Sequence, residues 1–350
     1  MRSVRPGRLV FFISAVAVTL RMAAAGNQLL PGPCTFPSNE IAWLQSALDG
    51  WERVSRQSLR IEPAPLPLIV LFDRACMWRL SSDTSPEPQW KSVDVALTFA
   101  GASVRVRAAS HGGTLTLPSG TAVTVEPRAS TALYHNSREA FFSMAMPSVW
   151  QTKKVSVQKR SEFLQGVFAH EMTHTRLLDP INRRVRELAE KNDLVYPIND
   201  DVVQAQFHQV GGFEHAFNRE RDALYRAAAE PDPLRRRELA SRALELMKTR
   251  RAQYFTGPTA VYAELESLFL TMEGVGQWAA YQIARSRPGI TDAYALRLVR
   301  DNRKYWSQDE GLALFLLVDA LVPDWQSKVF AAPMPASPID LLTDIWSKRS

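Results

Sequence analysis

Between Asn39 and Leu59 the apolar residues Ile41, Leu44, Leu48 and Trp51 recur at spacings of three and four, which places them on one face of an amphipathic helix. From Leu66 to about Val125 the period shortens. The stretches "LPLIVLFD", "VDVALTF", "VRVRAA" and "TLTLPSGTAVTVEP" alternate or cluster β-branched residues between Gly, Pro and Ser, as strands do. After about Gln158 the period lengthens again and nearly every segment reads as helix. Breaks are expected at "DPIN" (179–182), "YPIND" (196–200), "EPDP" (230–233), "TGPT" (256–259) and "SRPG" (286–289). The pattern predicts an α+β protein: a mixed β region over 26–157, then a mainly helical domain over 158–350. No internal repeat or low-complexity tract interrupts it.

The first residues stand apart from this pattern. "MRSVRPGR" is basic, "LVFFISAVAVTL" is apolar, and "AAAG" (23–26) offers small residues for cleavage, so 1–25 reads as a secretory signal peptide. The apolar run stops at Arg21, short of the roughly 20 residues a membrane span requires, so no stable span is expected after cleavage. The leader contains Arg2, Arg5, Arg8 and Arg21 and no acid, so its removal takes the net charge from +6 to +2. That leaves no general basic excess to argue for nucleic acid. The run "RRRELASRALELMKTRR" has Leu239, Ala243, Leu246 and Met247 at helical spacing, so its arginines read as a solvated face. Only Cys34 and Cys76 are present, and in an exported, periplasmic or secreted chain they are expected to pair. "LLPGPC" lacks the small residue that precedes a lipid-modified cysteine.

Chemistry concentrates in "GVFAHEMTHT" (166–175). A helix turns about 100° per residue, so His170 and His174 project from one face, on a stripe with Phe163, Val167 and Leu178. The apolar members of that stripe turn it inward. Two buried imidazoles side by side are costly as bare polar groups, whereas a shared divalent cation satisfies both, and zinc suits imidazole nitrogen. Glu171, one residue after the first ligand, sits beside the metal and can hold and deprotonate the attacking water.

A catalytic zinc takes a third protein ligand. Glu310 follows Ser307 by three positions ahead of an apolar run, the pattern of a capping box, and Glu264 and Glu266 stand at the polar start of their helix, where carboxylates favour the dipole. Glu273 lies in mid-helix among Phe269, Met272, Val275, Gly276 and Trp278, where an unpaired carboxylate is disfavoured and a metal removes the penalty. Glu214, between His208 and His215 in "FHQVGGFEHAF", stays open as an alternative ligand, and an ordinary salt bridge to an arginine stays open for Glu273.

"VFAHEMTH" followed far downstream by "MEGVGQW" resembles the gluzincin metallopeptidases, the thermolysin-like clan, in which the third zinc ligand is a glutamate on a second helix. The resemblance implies zinc ligation by His170, His174 and Glu273, a general-base role for Glu171, a zincin-like catalytic domain, and hydrolysis of a peptide or protein substrate. "YWSQDEGLALFLLVDALVPDW" (305–325) is similar to the helix that follows the ligand helix, and "FFSMAMPSVW" (141–150) sits where such enzymes place the edge strand that pairs with an extended substrate. Two departures stand out. The 99 positions from His174 to Glu273 imply a helical insertion over 197–256, and Arg176 replaces a usually apolar residue, which suggests a polar helix end. For the oxyanion, Tyr281, Tyr305, His208 and His215 are all open. A metal-stabilised, non-catalytic binding protein of the cell envelope is the rival reading, and a metal-free exported scaffold is the third.

Overall fold

The computed structural model describes residues 34–63, 65–81, 90–151, 157–195, 198–300 and 304–347. The expected signal peptide lies outside the described residues. Helix α1 (Ser38–Val54) is followed by a single wider turn that ends at Arg60 in the left-handed conformation (φ 53°). Its inward face holds Leu44, Leu48 and Trp51 as the spacing predicts, together with Ala47 and Val54.

Strands follow in the order β1 (Leu68–Phe72), β2 (Cys76–Ser81), β3 (Lys91–Val93), β4 (Thr98–Phe99), β5 (Ala102–Ser103), β6 (Arg105–Ser110), β7 (Thr114–Thr116), β8 (Ala122–Thr124), β9 (Ala129–Leu133) and β10 (Ala140–Ala145). Six of them form one mixed sheet in the order β3-β6-β2-β1-β10-β9, while β4–β5 and β7–β8 are separate two-stranded ribbons. All pairs in the large sheet are antiparallel except β1 with β10, where Leu68 stands opposite Phe141. The segment "FFSMAMPSVW" therefore does not supply the edge: β10 is an interior strand, and β9 lies outside it. The near-continuous apolar run of β10 fits that place, since a strand covered on both faces has no solvent side to mark. Cys34 and Cys76 are disulfide-bonded, with Cα atoms 5.7 Å apart, which ties the segment before α1 to β2.

The described residues after the sheet are mainly helical: α2 (Val157–Lys191), α3 (Val202–Phe207), α4 (Phe213–Ala229), α5 (Pro233–Tyr254), α6 (Tyr262–Arg285), α7 (Asp292–Val299), α8 (Trp306–Leu321), α9 (Trp325–Phe330) and α10 (Pro338–Ser347). The fold is thus α+β, with the mixed sheet first and the helices after it. The expected break at 179–182 does not occur, because α2 runs through Pro180. A proline there removes one helical hydrogen bond to the Arg176 carbonyl. Buried Leu177, Leu178, Ile181, Val185 and Leu188 on both sides of it hold the two halves in line. Arg176 accordingly marks no helix end. Its guanidinium donates to the carbonyls of Glu62 (3.3 Å) and Pro63 (2.7 Å) and pins the loop before β1 to α2.

α2 packs against β9 and β10 on one side and against α6 on the other. The two long helices run in opposite senses: Gly166 lies against Ala280, while His170 and His174 lie against Gly276. α6 in turn touches α8 backbone to backbone, since a Cβ on Gly274 would stand 2.6 Å from the Gly311 carbonyl oxygen. Within the described part of the expected insertion, 198–256, lie α3 and the α4–α5 hairpin, with α4 against α8. No helix among the described residues is long and apolar enough to cross a membrane.

Candidate metal centre

The i, i+4 spacing on α2 brings the two imidazoles together with ring centroids 4.3 Å apart, and both are buried. α6 delivers Glu273 to the same point. Its Oε2 lies 3.2 Å from His170 Nε2 and its Oε1 lies 3.4 Å from His174 Nε2. Glu273 and His174 are fully buried, yet both Glu273 oxygens and both His174 nitrogens lack a hydrogen-bond partner. Three of these, His174 Nε2 and both Glu273 oxygens, meet at one buried point, a costly arrangement unless a cation joins them, while His174 Nδ1 faces Glu171. The candidate ligand atoms of His170, His174 and Glu273 all lie within 4.8 Å of one another, so the group can hold a metal ion. Donors at about 2.0–2.1 Å from a tetrahedral ion stand about 3.3 Å apart, and the two separations above match that spacing.

Glycine makes the approach possible. A Cβ on Gly276 would stand 2.9 Å from His170 Nδ1 and 3.0 Å from His174 Nε2, so only a residue without a side chain lets α6 sit this close to the rings. Burial pushes the Glu273 carboxyl up, but His174, His170 and the side chain of Gln308 together hold it below the ordinary carboxylate value. Burial likewise pulls His174 down, and Glu273 and Glu171 outweigh it, leaving the imidazole raised. Gln308 on α8 accepts a hydrogen bond from Gln277 on α6 (3.0 Å), which links the two helices beside the acid. Asp201, just before α3, is pushed up to about 6 by burial and then by the Glu273 charge, with Lys304 opposing.

Glu171 faces β9. Its Oε2 accepts from Thr131 Oγ1 at 2.7 Å, and the same hydroxyl lies 3.0 Å from the Glu171 carbonyl oxygen. His174 Nδ1 stands 3.6 Å from Glu171 Oε2, so the acid borders the ligand group without belonging to it. Arg128, at the foot of β9, is close enough to feel the Glu171 charge, although burial outweighs Glu126 and Glu171 and lowers the guanidinium below its ordinary value.

The other candidates go elsewhere. Glu214, His208 and His215 are exposed and do not approach the pair. Glu264 binds Arg184 at the start of α6. Glu266, expected near the polar helix start, is buried: it accepts from Arg250 Nη1 (2.9 Å) and Arg251 Nε (2.7 Å). Arg250 is therefore no part of a solvated face. It is 1 % exposed and also donates to Glu220 Oε1 (2.7 Å). Glu310 forms no capping box, because Tyr305, not Ser307, is the N-cap of α8. Its carboxyl is fully buried 3.9 Å from Arg250 and is pushed well up by burial and by Glu220. Tyr281 and Tyr305 are buried, and among the described residues no hydrogen bond joins either to Glu171 or the ligand group. Thr131 carries no motif: a threonine in a short strand 40 positions before Glu171 becomes visible only once the sheet is assembled.

Comparison of the chain with known protein families, curated proteins and solved structures gives no match.

Proposed function

We propose that this chain is an exported zinc-dependent metallopeptidase of gluzincin type. The observation that carries the reading is the convergence of His170, His174 and Glu273 on one buried point, with the polar atoms of His174 and Glu273 unpartnered, beside a carboxylate outside the group. These three residues would hold the ion, and two imidazoles with one carboxylate form a donor set that suits zinc. When bound, zinc supplies a Lewis acid that polarises a carbonyl and makes water nucleophilic near neutral pH.

The chain's own groups then divide the work. Glu171 Oε2 takes the proton of the attacking water and passes it to the departing amine, so one carboxylate serves first as base and then as acid. Thr131 holds that oxygen by its hydroxyl. Among the described residues β9 is the outer strand of the large sheet, and it packs against α2, which carries the base. Burial of all four site residues keeps bulk water out of the reaction. The Cys34–Cys76 bond suits the oxidising compartment to which the leader would deliver the chain.

Glu171→Gln tests the reading. The variant is expected to retain one zinc per chain and to lose peptide hydrolysis by about 10²–10⁴-fold, the usual contribution of a general base. Wild-type turnover in that variant, or a protein that holds no metal, would sink it.

A further inference from the structure

The edge strand and the base meet in one residue. Thr131 is completely buried, and its Oγ1 reaches both the carboxylate and the carbonyl of Glu171. A hydroxyl has one proton to give. The Glu171 carbonyl lies inside α2, where the helix already supplies a donor, and an ionised carboxylate is the stronger acceptor, so the proton goes to Oε2.

The same residue faces outward along its backbone. In β9 the hydrogen-bonded partners of β10 and its continuation include Tyr134 with Glu139 and Arg128 with Ala145. Antiparallel pairs alternate between bonded and non-bonded, so Thr131, which stands opposite Phe142, is a non-bonded position. Its N–H and C=O therefore point away from β10, but the whole residue, main chain included, is covered, so what it offers the site is its hydroxyl.

We infer that Thr131 is a positioning residue: its hydroxyl holds the Glu171 carboxylate in the orientation in which it acts as the base. This rests on the peptidase reading above. A shift of β9 against α2 moves the base with it.

The test uses Thr131→Val, which keeps the shape and removes the hydroxyl, and Thr131→Ser, which keeps the hydroxyl. The substrate is the peptide of an internally quenched library that the wild type cleaves fastest. In Thr131→Val kcat is expected to fall about tenfold or more, the worth of a hydrogen bond to a charged group, with KM within about twofold. Thr131→Ser is expected to recover to within about threefold of wild type. Melting temperature and zinc content equal to wild type show that fold and ligand group are intact. Wild-type kcat in Thr131→Val, or a serine variant as slow as the valine one, overturns the inference where Glu171→Gln is inactive. If Glu171→Gln turns over at the wild-type rate, or the wild type cleaves no peptide, the peptidase reading itself falls and takes this one with it.

Discussion

Gly276→Ala adds one methyl group at the point where α6 meets both imidazoles. The new Cβ would stand 2.9 Å from His170 Nδ1, 3.0 Å from His170 Cε1 and 3.0 Å from His174 Nε2. Ordinary contact begins near 3.4 Å, so each ring must retreat by about 0.4–0.5 Å, or the helices must part by as much. Ligand distances tolerate only about ±0.2 Å, so the rings cannot absorb the shift and still share an ion with Glu273. Overpacking of this kind costs about 1–3 kcal/mol, which corresponds to a zinc Kd weakened about 5- to 150-fold. An opposing effect acts on the metal-free protein, because alanine favours a helix interior over glycine by about 0.5–1 kcal/mol. The expected signature is therefore split: zinc affinity falls while the melting temperature of the metal-free chain holds or rises slightly. Competition with a chromophoric chelator reads the first, and calorimetry the second. A folded Gly276→Ala protein that binds zinc as tightly as wild type would refute the claim that α6 must lie against both rings for the ion to be held.

Further outcomes follow from the buried charges and the helix contact. Arg250→Met should destabilise the protein by about 3–5 kcal/mol in urea unfolding, because it strands Glu220 and Glu266 without their shared cation; a loss below about 1 kcal/mol would show that the cluster is solvated. Glu310 binds its proton more tightly in the fold than in the unfolded chain, so the stability it contributes is complete below its ordinary value of 4.5 and is lost as pH rises through the folded value. Glu310→Gln cannot titrate, so its stability relative to wild type should increase as the pH rises above 4.5, and a constant difference in thermal melts would contradict this. Gly274→Ala would drive a Cβ into the Gly311 backbone, which cannot swing aside, and should cost about 3 kcal/mol or more; a melting temperature equal to wild type would mean that α6 and α8 sit farther apart.

The His170–His174–Glu273 group was legible because it obeys local rules. A helix fixes the relation of His170 to His174 from spacing alone, and a carboxylate set among apolar neighbours marks Glu273 as a residue in need of a partner. What escaped was set by contacts between distant segments. Ser307 and Glu310 have the spacing of a capping box, but Tyr305 is the N-cap, and packing of α8 against α4 turns the glutamate inward toward Arg250. Arg250 looks like its neighbours in an arginine-rich run until Glu220 and Glu266 arrive from other helices. Pro180 carries a true break signal, which burial of the residues on either side overrides. The exchange of β10 for β9 at the edge has the same origin: strand order depends on which strands pair, and β1 pairs in parallel with a strand some seventy positions away.

The central claim is that two imidazoles of α2 and one carboxylate of α6 hold a single cation. The most direct measurement is a crystal structure of the zinc-loaded protein with anomalous data collected at the zinc edge. One strong peak per chain, about 2.0–2.2 Å from His170, His174 and Glu273, is the predicted result. A peak elsewhere, or none with the three side chains in place, would contradict it.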